Sequence, residues 1–170
     1  MRKNVLYQYL VEGDTEKKIV QILKDNMKDI VPGKVQRFNV VQEEISDFYL
    51  RTIKLGTVVV LVFDTDVCFD EILRKNIKKL LNTPSVKCVV KIPQVKNLED
   101  ELVFSCNIKK ITELLNSQSI SAFKSDILRI NNLQNKLVEN SFDINKFWSR
   151  NPYKPFQDIS NDAEIIKLLT

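Results

Sequence analysis

Apolar positions along the chain fall into short continuous runs that alternate with stretches of helical spacing. "VLYQYLV" (5–11) is compact and rich in β-branched and aromatic residues, and predicts a strand. Gly13-Asp14 then turns the chain, with Asp14 or Thr15 as N-cap. Ile19, Ile22, Leu23 and Met27 follow on one helical face, with a stop at Pro32-Gly33. "KVQRFNVV" (34–41) alternates weakly and predicts a second strand. "EEISDFYLRTI" (43–53) predicts a helix with Ile45, Phe48, Tyr49 and Ile53 as its stripe, closed by Gly56. In "TVVVLVFDTD" (57–66) the unbroken run Val58 to Phe63 marks a strand buried on both faces, as in the middle of a parallel sheet. The next helix turns Ile72, Leu73, Ile77, Leu80 and Leu81 inward and Arg74, Lys75, Lys78 and Lys79 outward, until Thr83-Pro84 breaks it. "VKCVVKIP" (86–93) is a fourth strand, and "NLEDELVFSC" (97–106) opens another helix with Asn97 as N-cap.

Strand and helix thus alternate four times, which predicts an α/β fold: a Rossmann-like open parallel sheet of about four strands with right-handed crossovers, spanning residues 1–106. Residues 107–170 carry helical stripes instead: Ile108, Ile111, Leu114 and Leu115; then Phe123, Ile127, Ile130, Leu133 and Leu137; then Ile165, Ile166, Leu168 and Leu169. These predict a helical C-terminal extension packed on the core. Between the last two stripes, "KFWSRNPYKPF" (146–156) reads as a proline-broken loop pinning aromatics to the core; its interleaved Arg150 and Lys154 are also the candidates for nucleic-acid binding.

Composition narrows the chemistry. The 170 residues include no histidine, which excludes Ser-His-Asp and Cys-His nucleophiles and histidine-ligated zinc. The three cysteines are widely spaced and form no C-x-x-C, so neither a disulfide framework nor a zinc site is expected; buried, inert thiols in a reducing, cytoplasmic setting are. With only three glycines, neither a Walker A loop nor G-x-G-x-x-G is present. The longest apolar run is too short to span a bilayer, and the N-terminus reads as a strand, not a signal peptide. A net charge of +4 permits nucleic-acid binding without demanding it. Catalysis, if any, falls to carboxylates, lysines, tyrosines or a hard metal ion.

The carboxylates have a pattern. Glu12 ends the first strand; Asp64 and Asp66 end the third. In an open parallel sheet, sites form beyond the carboxyl ends of the strands, so pairing of these two strands brings all three acids to one crevice. Their mutual repulsion is relieved by Mg²⁺ or Mn²⁺, which take oxygen ligands. Gly13 is expected to turn the backbone tightly behind Glu12, and Glu16 falls in the first helical turn near the same mouth.

"LVEGDTE" followed by "VVLVFDTDV" resembles the TOPRIM domain of topoisomerases, primases, ribosomal-RNA maturation nucleases and nucleases of the OLD (overcoming lysogenization defect) type, whose hallmark is Glu-Gly after the first strand and D-x-D after the third. The resemblance covers about residues 4–105, and "EGDTE" looks most like the OLD and RloB-like branches, often found in phage-defence systems. It implies Glu12, Asp64 and Asp66 as catalytic acids and metal ligands, with Glu16 a further ligand. "NLEDEL" looks like the later acidic element of those branches, with Glu99 the metal candidate and Asp100 and Glu101 left open. Lys96, and less so Lys91, are candidates to neutralise transition-state charge. OLD proteins normally carry an ATPase domain, which this chain lacks, so the resemblance implies action alone or with a separate ATPase or defence-system protein. The expected function is a Mg²⁺- or Mn²⁺-dependent nuclease acting on DNA or RNA, with no membrane partner; the alternative is a non-catalytic TOPRIM-like binding or regulatory module. A phosphorylated receiver domain fits poorly, since it wants an acidic pair after strand one and a lone aspartate after strand three.

Overall fold

The computed structural model describes residues 5–168. Leu169 of the last predicted stripe, like the chain's first four residues, lies outside them. Four strands, β1 (Leu6–Val11), β2 (Lys34–Arg37), β3 (Thr57–Asp64) and β4 (Val86–Gln94), pair in the order β2-β1-β3-β4. All three pairings are parallel, giving a Rossmann-like open α/β sheet. The period-two alternation of side chains splits the strands between two cores. Tyr9, Val11, Val58, Val60, Val62, Val90 and Ile92 face one layer. Leu10, Val59, Leu61, Phe63 and Val89 face the other. β3 needs apolar residues at consecutive positions because both its faces are covered.

Helix α1 (Asp14–Gln21) and its π-helical continuation Ile22–Met27 lie on the first face through Ile19, Val20 and Leu23. The helix ends before Pro32-Gly33, because Lys28 adopts a left-handed conformation (φ 61°) and Asp29 N–H closes onto the Leu23 carbonyl. Helix α3 (Glu71–Leu81) covers the second face with Leu73 and Leu80, while Leu81, expected inside, is exposed at its last turn.

The helix predicted over 43–53 forms only as α2 (Asp47–Thr52), capped by Ser46, and Phe48 is 78% exposed. Its missing turn has a physical cause. Asn76, fully buried on α3, accepts the Ile45 N–H and donates to the Val40 and Glu43 carbonyls, so a side chain satisfies the backbone ahead of Ser46 in a non-helical path.

Past β4 come α4 (Leu98–Ser105), α5 (Thr112–Leu115), α6 (Ile120–Arg129) and α7 (Leu133–Glu139). Leu98, Leu102, Leu114, Phe123, Ile127, Leu133 and Leu137 join the first core cluster, so the C-terminal helices share their apolar interior with the sheet. Phe147 and Trp148 belong to the same cluster, whereas Phe156 and Ile159 belong to the opposite one. The chain therefore passes around the β4 edge. There the Asp162 amide donates to the Lys91 carbonyl at 2.8 Å and its carboxylate accepts the Lys91 amide at 3.0 Å, covering part of an edge that would otherwise be unpaired. The final predicted stripe forms only a 3₁₀ turn, Ala163–Ile165; Ile166 is buried, but Ile165 and Leu168 are exposed, and Lys167 bridges antiparallel to Ile30. Cys68 and Cys88 are exposed, contrary to the expectation of buried thiols, because one sits in the β3–α3 loop and the other on the edge strand. No helix among the described residues is long and apolar enough to cross a membrane.

Candidate metal centre

The strand order sends the crossover from β1 to one side and the crossover from β3 to the other, so the switch point of the sheet lies between these strands. They pair from Leu6–Thr57 to Val11–Val62, which sets the residues just beyond each strand side by side. Glu12 Oε2 accepts the Asp64 backbone N–H at 3.3 Å. Asp64 Oδ1 accepts from Nε2 of Gln94, its register partner on β4, at 2.5 Å. Thr65 points the other way and donates to the Gln94 carbonyl at 2.7 Å. Asp66, two residues past the strand end, is exposed.

The electrostatics record this convergence. Burial pushes the Asp64 carboxyl up to about 9, with Glu12, Glu16 and Asp66 adding to the rise and the Gln94 amide opposing it. Glu12 is raised by burial and by Glu16 and Asp66, against the Asp64 amide and Asn39. Glu16 is raised by burial and by Glu99, against the Thr15 hydroxyl and Lys124. At 7% exposure Glu16 is no ordinary solvated first-turn acid. Glu12, Glu16 and Asp64 thus share a partly desolvated crevice, with Asp66 at its exposed rim and Glu99 on the Glu16 side.

The three acids opening α4 separate into three roles. Glu99 faces this crevice, with Oε1 3.3 Å from Lys124 Nζ. Asp100 lies toward Lys96, at 3.8 Å. Glu101 is fully buried and turned away, accepting the Val95 N–H at 2.8 Å and the Trp148 N–H at 3.2 Å. Helical geometry rotates successive side chains by about 100°, so three adjacent acids cannot share one target.

Among the lysines, Lys96 is exposed with a left-handed backbone (φ 64°), its ammonium nearest Asp100. Lys91 pairs with Asp162 at 3.4 Å at the sheet edge, away from the acids. The cation that does face them is Lys124, which the sequence reading missed: its ammonium is held above its ordinary range first by Glu99, then by Glu16 and Asp64. A long-range contact sets its position. Lys18 on α1 donates to the Leu128 and Ile130 carbonyls at the end of α6, and so fixes α6 across the crevice mouth. No local pattern around Lys124 carries that information. Arg150 is drawn inward, with Nη2 3.0 Å from Glu101 Oε1 and its guanidinium 4.4 Å from the Phe104 ring centroid, whereas Lys154 is exposed.

Gly13 is needed for space, not for a turn. Its φ of −141° and ψ of −173° are extended values open to any residue. A Cβ there would lie 2.8 Å from Glu16 Oε2. That oxygen is the tip of a flexible side chain, so Gly13→Ala should displace the carboxylate and spare the fold. We expect a Tm within about 2 °C of wild type. Stabilisation by added Mn²⁺, measured in thermal melts, should fall; an undiminished metal response would remove Glu16 from the ligand set.

The donor set fits a hard divalent cation: all oxygen, no histidine, and mutually repelling charges of which Lys124 offsets only a part. Among the described residues, no group of three such side chains is already closed into a metal-binding geometry. Comparison with protein-family models, curated proteins and solved structures returns no match.

Proposed function

We propose that this protein is a metal-dependent nuclease that hydrolyses phosphodiester bonds in DNA or RNA at the switch-point crevice. The observation that carries this reading is the convergence of Glu12, Glu16, Asp64, Asp66 and Glu99 there, with Lys124 opposite. The TOPRIM-like order of Glu-Gly and D-x-D supports it. These carboxylates would hold Mg²⁺ or Mn²⁺, which supplies water activation and neutralises charge on a phosphodiester. Gln94 holds Asp64 in one rotamer through its amide, and the Asp64 amide does the same for Glu12, so the acids are pre-positioned. Lys124 is the residue we assign to the negative charge that develops on the phosphate, the role expected of Lys96 from the sequence. The resemblance to the OLD and RloB-like branches suggests phage defence as the setting of this activity, with a separate ATPase as the candidate partner.

A second reading, a non-catalytic module that binds such a partner, draws support from the internal hydrogen bonds that already engage Glu12 and Asp64. A cleavage screen separates the two. Duplex DNA, single-stranded DNA, transfer RNA and structured RNA are incubated with Mg²⁺ or Mn²⁺ and wild type or Asp64→Ala. Cleavage by wild type alone supports the nuclease; cleavage retained in Asp64→Ala removes the site assignment.

A further inference from the structure

Beside the carboxylates, α4, α5 and α6 enclose a cavity of about 410 Å³. Its walls carry Lys109, Lys110 and Lys124, and its apolar lining comes from Val103, Ile111 and Ile120. Glu99 and Lys124 belong both to this cavity and to the crevice, so the two spaces are continuous. Its charges do not cancel. Lys124 is matched by Glu99, and Asp100 has Lys96 within 3.8 Å. Among the described residues, neither Lys109 nor Lys110 pairs with a carboxylate. Two ammonium groups without a carboxylate partner therefore flank a recess of mixed lining, next to a crevice rich in acids; the Glu113 carboxylate accepts the Lys109 backbone N–H at 3.0 Å.

We infer that this cavity is the strand-holding subsite of the protein, taking one nucleotide of a single-stranded nucleic acid with its base or sugar on Val103, Ile111 and Ile120 and the adjoining phosphates on Lys109 and Lys110. The assignment rests on the nuclease reading for its orientation, since it leads the backbone from the lysines toward the crevice. The cavity's volume is that of sites that take small ligands. The lysines supply the phosphate charge complement. A paired base inside a duplex cannot enter such a recess without leaving its stack, which is why the ligand is a single strand. Val103, Ile111 and Ile120 read no base edge, so any base preference falls to Asn97 and Thr112, which also line the recess. Whether the strand is RNA or DNA is decided by parallel probes.

The test is fluorescence anisotropy of short oligo(dT) and oligo(U) probes in EDTA, over a series of salt concentrations, with wild type, Lys109→Glu/Lys110→Glu, and the exposed control Lys78→Glu/Lys87→Glu. Thermal melts check that each variant is folded. The first pair should weaken binding and flatten the slope of log affinity against log salt by about 1.4, roughly 0.7 for each lost phosphate contact on a single strand. The control pair should bind nearly as wild type. Unchanged binding in Lys109→Glu/Lys110→Glu, equal loss in the control, or binding of poly-glutamate in place of either oligonucleotide overturns the subsite. If wild type cleaves nothing with any metal but holds oligonucleotides through these lysines, the nuclease reading falls and the subsite stands. If wild type cleaves but its double variant binds unchanged, the reverse holds.

Discussion

Asp64→Asn should raise the melting temperature of the metal-free protein at about pH 8 by roughly 3–6 °C while abolishing metal-dependent cleavage. The sign follows from linkage. The folded-state pKa of Asp64 is raised from 3.8 to about 9. Below the lower value both folded and unfolded chains are protonated, and the stability from the protonated acid is complete. As pH climbs to the upper value, the unfolded chain releases a proton that the folded chain retains, so stability drains away across that window. Glu12 and Glu16 are raised as well, and lose stability in the same sense. Asparagine removes the need to bind a proton on folding yet still accepts from Gln94 Nε2. Each tenfold difference in proton affinity between folded and unfolded chains is worth about 1.4 kcal/mol, and relieving one such step gives roughly 3–6 °C for a protein of this size. Mg²⁺ or Mn²⁺ should reverse the ranking, stabilising wild type but not the variant. Melts of both proteins near pH 5 and pH 8, in EDTA and in excess Mn²⁺, check the stability changes, and a cleavage assay checks the activity. A variant no more stable than wild type in EDTA and equally stabilised by Mn²⁺ would remove Asp64 from the site.

Glu101→Ala should be the most damaging change to the fold, costing about 3–5 kcal/mol. Glu101 has no solvent exposure and accepts two backbone N–H groups, from Val95 and Trp148. It also faces Arg150, whose Nε and Nη2 are buried and make no aligned hydrogen bond among the described residues. Alanine leaves two donors and a half-buried cation without an acceptor, so a fall in Tm of roughly 6–20 °C is expected. Glu101→Gln keeps one acceptor oxygen for one of the two N–H groups and turns its NH2 toward the other, so it should cost less than alanine but still destabilise. Equal and small losses in the two variants, by urea or thermal melts, would show that Arg150 finds solvent when its partner is gone.

The sheet and the first three acids were legible because they depend on local pattern. Val58 to Phe63 could only be a strand covered on both faces, and strand ends fix where Glu12, Asp64 and Asp66 emerge. What was illegible came from contacts distant in sequence. Asn76 unwinds the start of a predicted helix from 31 residues away, as its bond to Ile45 shows. Lys124 reaches the acids because Lys18 fastens α6, a contact across 110 residues. Glu99, Asp100 and Glu101 could not be told apart without the phase of α4. Gly13 was noticed for the wrong reason: what it needs is room for a neighbour's carboxylate, which no dihedral preference announces.

The path of the chain around the β4 edge sets an order of events during synthesis. Glu12, Asp64 and Asp66 leave the ribosome ahead of the residues that hold them, on strands able to pair soon afterwards. The side chain that steadies Asp64 is Gln94, and Gln94 Oε1 is in turn held by the Trp148 indole N–H at 3.1 Å. Lys124 and the Asp162 clasp on Lys91 also come from the later part of the chain. A growing polypeptide therefore carries its acids before the residues that organise them. The geometry of the acids is thus settled by segments that follow them in the chain, and not by the strands that carry them.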